Sequence, residues 1–339
     1  MKIVLDAMGG DKAPDCEVEG AVLALREFKD VSVVLVGKKE EISEKLNFLN
    51  TAQKIRDRIE IVNADEVIGM SEKPAEAYKK KPGASIVVAA GLLKEEKGDA
   101  LVSAGNTGAV VVASLLKIGR LNGVKRPAIL TPMPSKTGIT GILDAGANVD
   151  CKPVHLAQFA LMGNAYAQNI LNIEKPRVGL LSVGEEEEKG NELTYETRRL
   201  INKLNLNFIG NVEGRDATNG RVDIIVCDGF VGNVILKTAE GVGRLLGDII
   251  KEQIAKGSIF RKIGALMVRG AFKHMKKRID PNIYGGAPLV GIKKPVIITH
   301  GSIDSEGIKN AIRVASEFIK RHINEEIEQA ISGMEENGG

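Results

Sequence analysis

The run Asp99-Ala100-Leu101-Val102-Ser103-Ala104-Gly105-Asn106-Thr107-Gly108-Ala109 constrains this 339-residue chain more than any other. A short apolar stretch ends in small polar residues and glycine, and Val110, Val111, Ala113, Leu115 and Leu116 follow at helical spacing. The pattern predicts strand, tight loop and helix. In such a unit the loop lies at the carboxyl end of the strand, and the first helical N–H groups face whatever occupies it. Gly105 and Gly108 keep side chains away, while Ser103, Asn106 and Thr107 carry groups suited to an anion or to capping. An ordinary N-cap has the same look, so the unit gains meaning from repetition.

It is repeated. Residues 3–5 read as a buried strand ending in Asp6-Ala7-Met8-Gly9-Gly10-Asp11, either a turn with solvated acids or a rim shared with the Ser103 loop. A helix over 17–28 and strands over 33–37 and 59–63 follow. Residues 65–81 break the pattern with Pro74 and the run Lys79-Lys80-Lys81, then lead to a helix over 86–93. Further strands are predicted at 127–131 and 141–145, the second running into Asp144-Ala145-Gly146-Ala147-Asn148. A helix at 153–172 opens on a first-turn proline. The strand at 177–183 precedes Gly184-Glu185-Glu186-Glu187-Glu188-Lys189-Gly190-Asn191-Glu192 and a helix over 193–204. Lys189 is either incidental to a solvated acidic loop or turned inward to meet an anion. The strand at 222–227 ends in Asp228-Gly229-Phe230-Val231-Gly232-Asn233, with a helix from near Val234. A last strand at 295–299 reaches His300-Gly301-Ser302-Ile303-Asp304 and a helix over 305–331. Alternation of this kind implies an α/β fold, a mainly parallel sheet with helices on both faces, whose strand-end loops would converge on one cleft. One large domain over 1–333, with an insert at about 251–280 and a frayed tail at 334–339, is the expected organisation.

Composition excludes several classes. The chain has no Trp and only 4% aromatic residues, unlike a stacking platform for nucleic acid, and 47 basic against 44 acidic residues leave a net charge of +3. Cys16, Cys151 and Cys227 form no CxxC pair, which fits a reducing compartment and no zinc ribbon. Met1-Lys2 runs directly into a strand without a signal-like segment, and no run reaches the roughly 18 apolar residues of a span, so a cytoplasmic location is expected. There is no GxxxxGK[ST], no GxGxxG after a strand, no GxSxG and no HExxH. The four histidines are scattered, with His300 alone at a strand end. No metal or cofactor is implied, and the remaining chemistry needs an anion pocket and hydrogen-bond donors rather than a covalent nucleophile.

Between residues 251 and 278 stand nine basic side chains and the single acid Glu252, a local net of +8. Ile259, Phe260, Ile263, Leu266 and Met267 interleave with Arg261, Lys262, Arg269 and Lys273 near helical spacing, interrupted by Gly257, Gly264 and Gly270. Such a segment suits an anionic bilayer or an acidic partner protein. It equally suits packing into a core or a dimer interface.

The ordered motifs LDAMGGD at 5–11, SAGNTGA at 103–109, LDAGAN at 143–148, GEEEEKGNE at 184–192, NFIGNVEGRD at 207–216, CDGFVGNVILK at 227–237, YGGAPL at 284–289 and HGSID at 300–304 resemble the bacterial phosphate acyltransferase family, PlsX. The resemblance covers essentially the whole chain. It implies transfer of a long-chain acyl group from acyl carrier protein to inorganic phosphate, giving acyl phosphate for phospholipid synthesis and for a downstream glycerol-3-phosphate acyltransferase. It further implies a peripheral membrane homodimer with a Rossmann-like fold similar to phosphotransacetylase and to the isocitrate and isopropylmalate dehydrogenases. Where the family carries Arg and Ser-Ser-Met, this chain has Lys79 and Ala84-Ser85-Ile86, so no role is assigned there.

Phosphate is already anionic at neutral pH, so its attack on a thioester needs alignment, charge neutralisation and oxyanion donors rather than a base. Ser103, Asn106 and Thr107 with the helix terminus are expected to hold phosphate, Lys189 to offset its charge, Asn233 or a backbone N–H near it to support the oxyanion and Asp228 to orient a donor. Asp6, Gly9, Gly10, Asp11, Asp144, Asn148, Asn191 and His300 complete the expected binding set. Two other readings compete: a phosphotransacetylase-like transfer using coenzyme A, and a non-catalytic scaffold for lipid or carrier protein.

Overall fold

The computed structural model describes residues 1–336. Eleven strands form its sheet: β1 (Lys2–Asp6), β2 (Ser32–Gly37), β3 (Ile59–Asn63), β4 (Ala100–Ser103), β5 (Ala128–Ser135), β6 (Gly138–Leu143), β7 (Val178–Leu181), β8 (Phe208–Val212), β9 (Ile224–Val226), β10 (Ala287–Val290) and β11 (Val296–Ile298). The helices are α1 (Asp15–Glu27), α2 (Lys39–Phe48), α3 (Gln53–Arg56), α4 (Pro74–Lys80), α5 (Ser85–Lys94), α6 (Thr107–Ala113), continued by a π-turn at Ser114–Ile118, α7 (Pro153–Asn169), α8 (Glu192–Ile201), α9 (Asp216–Asn219), α10 (Gly229–Ala255), α11 (Ile259–Met267), α12 (Arg269–Ile279), α13 (Pro281–Tyr284), α14 (Ser305–Lys320) and α15 (Ile323–Glu336).

The strand order is β3-β2-β1-β4-β11-β10-β5-β6-β9-β7-β8. Seven of the ten pairings are parallel. The three antiparallel ones, β11 with β10, β10 with β5 and β5 with β6, are consecutive at the centre. Three reversals make β6, β7, β8 and β9 run opposite to β1, β2, β3, β4 and β11. The carboxyl ends of the two halves therefore lie at opposite edges of the sheet, and the expected convergence of all strand-end loops on one cleft does not occur within the chain.

Side-chain alternation divides the core. Ile3, Leu5, Val33, Leu35, Val102 and Ile297 pack under α1, α2 and α14, whereas their neighbours Val4, Val34, Leu101 and Ile298 pack under α5 and α6. That second layer continues across the sheet through Ile129, Ile142 and Ile225 to Ile235 and Leu236 of α10. On the other face of the second half, Leu130, Leu143, Leu180 and Val226 pack against α7 and α15.

Several boundaries differ from expectation for local reasons. Helix α10 starts at Gly229 rather than near Val234, because Asp228 caps it by accepting the Val231 N–H at 2.9 Å. The helix expected over 305–331 is two helices, broken at Arg321 and at His322, whose φ is 52°. Helix α15 continues through Glu336, so residues 334–336 are not a frayed tail, and 337–339 lie outside the described residues. Strands β8 and β10 have no clean apolar signature, since Gly210 and Asn211 interrupt one and Pro288 the other.

Candidate functional site

At the carboxyl ends of β1, β4 and β11 three loops meet. Asp6, the last residue of β1, is buried, and its Oδ2 accepts the Ser103 hydroxyl of β4 at 2.7 Å. Ser103 Oγ in turn accepts the Gly105 N–H at 3.1 Å, and Asp6 Oδ1 accepts the Met8 N–H at 3.3 Å. Burial pushes the Asp6 carboxyl above the usual range, opposed by hydrogen bonds from Ser85, Ser103 and Met8. Gly9 lies so close to the neighbouring loop that a Cβ there would meet the Gly105 nitrogen at 2.6 Å. Only glycine permits this backbone junction. The third loop joins through Asp11, whose N–H donates to the Gly301 carbonyl at 2.8 Å.

Two expected phosphate ligands have structural partners in this arrangement. Ser103 is buried and its hydroxyl serves Asp6 and Gly105. Asn106 caps α6 through the Ala109 N–H at 3.1 Å, while its amide nitrogen donates to the carbonyls of Gly69, Met70 and Glu72 at 3.2, 3.1 and 3.0 Å. Both side chains shape the loop instead of reaching outward. Thr107 is exposed, and the first-turn N–H groups of Thr107 and Gly108 have no intrahelical acceptor. His300 is exposed on the third loop, its Nδ1 2.8 Å from Ser302 Oγ.

A second group sits at the carboxyl ends of β6 and β9. Asp144 is buried and its Oδ1 accepts the N–H groups of Ile129, Gly146 and Ala147 at 2.9, 3.2 and 3.1 Å. Its Oδ2 accepts the backbone and side-chain nitrogens of Asn148 at 2.6 and 2.9 Å, and Asn148 also donates to the Pro127 carbonyl at 2.7 Å. The buried carboxylate is saturated by its own loop and Ile129, and the amide nitrogen of Asn148 is tied to it. Asp228 orients the Val231 N–H as an N-cap. Asn233 is exposed on the first turns of α10, where Gly146 approaches it. Cys151 and Cys227 lie under this loop, and burial pushes the Cys151 thiol up to about 12.

The third group follows β7. Asn191 caps α8, accepting the Thr194 N–H at 3.0 Å while Thr194 Oγ1 accepts the Asn191 N–H at 2.9 Å, which completes a capping box. Ser182 Oγ and Asn211 Nδ2 hold the Lys189 carbonyl at 3.0 and 3.1 Å. The Lys189 side chain is exposed rather than inward-facing. Among the acids of this loop, Glu185 pairs with Arg221 at 2.6 Å and Arg215 at 3.3 Å.

Sequence reasoning missed Glu17. This residue of α1 is fully buried, and its Oε1 accepts the Gly10 N–H at 3.1 Å. It shares a stripe with Gly20, Ala21 and Ala24, all buried, so an acid on the apolar face of a helix was the available signal. Ser85, set aside above, is buried beside Asp6.

Helices α10, α11 and α12 carry the basic apolar segment. Ile259, Phe260, Ile263, Leu266 and Met267 are exposed, Phe260 by 81% and Met267 by 83%. Arg261, Lys262, Arg269 and Lys273 are exposed among them. Among the described residues no helix is long and apolar enough to cross a membrane, and no cluster of three or more His, Cys, Asp or Glu is placed to hold a metal ion.

A profile of the family described as "Fatty acid synthesis protein" matches residues 1–326. The chain is 50% identical over 340 residues to a phosphate acyltransferase of Dictyoglomus turgidum, covering 100% of both. It is 47% identical to one of Halothermothrix orenii, over 98% of this chain and 99% of that one. Among solved structures, a phosphotransacetylase from Streptococcus pyogenes superposes with a TM-score of 0.62 at 21% identity, covering 94% of each chain. That likeness shows a shared α/β fold.

Proposed function

Because the chain belongs to the PlsX-type family of phosphate acyltransferases, enzymes that move an acyl group to phosphate, we propose that its donor is a long-chain acyl thioester of acyl carrier protein. The acyl phosphate so made would feed phospholipid synthesis through a downstream glycerol-3-phosphate acyltransferase. The geometric observation behind the phosphate site is the Gly9–Gly105 junction, next to which Thr107 stands exposed on the open first turn of α6.

A phosphate oxygen attacks the thioester carbonyl carbon, the tetrahedral intermediate collapses with cleavage of the C–S bond, and the proton of hydrogen phosphate passes to the departing thiolate. Backbone N–H groups and the Thr107 hydroxyl hold the phosphate oxygens, and Ser103, Asp6 and Asn106 keep that loop in shape. Lys189 and Asn233 are exposed at the opposite edge of the sheet, so the charge-offsetting and oxyanion-supporting roles proposed for them require that edge to be supplied by the second copy of a homodimer. Peripheral attachment to an anionic membrane, contact with the acidic carrier protein and homodimer formation are all supported by the exposed basic and apolar faces of α11 and α12.

Purified protein with radioactive phosphate and either palmitoyl-carrier protein or palmitoyl-coenzyme A tests the reading. Labelled acyl phosphate from the carrier donor supports it; label only from coenzyme A favours the phosphotransacetylase-like alternative, and none from either sinks the donor assignment. Loss of label in a folded Thr107→Val protein keeps phosphate on the first-half rim, whereas loss only in Lys189→Met moves it to the second half.

A further inference from the structure

The carboxyl group of Glu17 lies fully buried beneath the Gly9–Gly10 loop. Its Oε1 accepts the Gly10 N–H at 3.1 Å, and a Cβ on Gly10 would sit 2.3 Å from that oxygen, so the loop rests directly on it. Its Oε2 is buried without a hydrogen-bond partner. Several charged groups on the elements packed against α1 are paired elsewhere. Asp15 of α1 pairs with Lys45 of α2 at 2.9 Å. Lys309 of α14 pairs with Glu306 at 2.6 Å and Glu27 at 3.2 Å. Arg58, at the far end of α1, donates to the Leu25 carbonyl at 2.8 Å. On β1 stands the acid Asp6, and the loop itself carries Asp11 and Lys12, both exposed. Among the described residues no cation pairs with Glu17.

A buried carboxylate with one neutral donor and no cation is costly, and such a group keeps its proton. We propose that Glu17 is a positioning residue for the phosphate site: as the neutral acid it anchors the Gly10 N–H and lets the loop accept an anion, and as the carboxylate it repels one. This rests on the placement of phosphate at the first-half rim. Burial, with the nearby Asp6 and Asp15 charges also acting upward, raises Glu17 to about 7 against the hydrogen bonds that lower it. The two forms therefore exchange near neutral pH, and phosphate affinity should fall as pH rises.

The test is the KM for inorganic phosphate at saturating acyl donor between pH 6 and pH 8.5, in wild type and in Glu17→Gln. Taking the ratio cancels the ionisation of phosphate itself. A charge several ångströms from the anion predicts that the wild-type to variant KM ratio rises about fivefold across that range, with kcat following a common profile. Glu17→Leu, which removes the acceptor but keeps the bulk, should raise KM at every pH, and Gln should restore it. If Glu17→Gln does not fold, 13C NMR of the wild-type carboxyl replaces it. Because coupling is reciprocal, phosphate should move its titration midpoint upward. A constant KM ratio between two active, folded proteins, or a midpoint indifferent to phosphate, overturns the role of Glu17 alone. A phosphate response lost neither in Thr107→Val nor in Gly9→Ala overturns the underlying placement, and the proposal with it.

Discussion

Asp6 and Asp144 occupy matching places in the two halves of the sheet, each at the carboxyl end of a strand beneath a glycine-bearing loop, yet they are used differently. Asp144 gathers five hydrogen bonds from its own loop and from Ile129. Asp6 is served by the Ser103 hydroxyl and the Met8 N–H, with Ser85 beside it. One acid is the saturated centre of a closed turn. The other, with Glu17, supports two glycine loops whose outer side remains open, and an under-satisfied buried acid is the kind of group that responds to a charged ligand.

The largest effect that would sharpen this contrast is on stability. Asp144→Ala removes the acceptor of five hydrogen bonds, leaving the buried Ile129 N–H unpaired, and should lower unfolding free energy by about 4 kcal/mol, against about 2 kcal/mol for Asp6→Ala. Urea denaturation of both variants gives the comparison, and equal losses would break it.

The pH dependence of stability comes next. Glu17 titrates near 7 in the folded protein and near its ordinary 4.5 when unfolded. The folded state therefore binds the proton more tightly: the contribution is full below about 4.5 and is lost as pH rises through about 7. The loss amounts to about 3 kcal/mol. Glu17→Gln should flatten that fall in denaturation curves taken at successive pH values, and a slope identical to wild type would count against the buried neutral acid.

Gly9→Ala places a methyl 2.6 Å from the Gly105 nitrogen, where the contact is backbone and cannot swing aside. About 2 kcal/mol of destabilisation is expected, together with at least a tenfold drop in kcat/KM for phosphate. Gly264→Ala, where nothing lies within 4 Å, should leave stability within about 0.5 kcal/mol. The cap has a smaller effect than the Gly9 junction: Asn191→Ala should remove about 1 kcal/mol or less, read as a shift in melting temperature.

Much of this architecture is legible in the chain. The strand-loop-helix units at Ser103, Asp6 and Asp228 are local patterns, in which apolar runs, glycines and capping residues act on neighbours a few positions away. At Asn106, Asn148 and Asn191 the sequence does not show the structural bonds these side chains make, because a side chain that caps a helix or ties a turn is the same residue type as one that binds an anion. Strand β10 was not legible, since its four residues Ala287–Val290 include a proline and become a strand by lying between β11 and β5.

By itself, then, the sequence determined the alternation of elements, the loops placed at strand ends and the basic apolar segment, because each depends on short-range spacing. The tertiary structure alone decided that the sheet reverses at β10 and β5, that Ser103 meets Asp6 across 97 residues, and that Glu17 is sealed under Gly10. Those outcomes depend on which strands pair and which helix covers them, and pairing is settled by burial summed over the whole sheet.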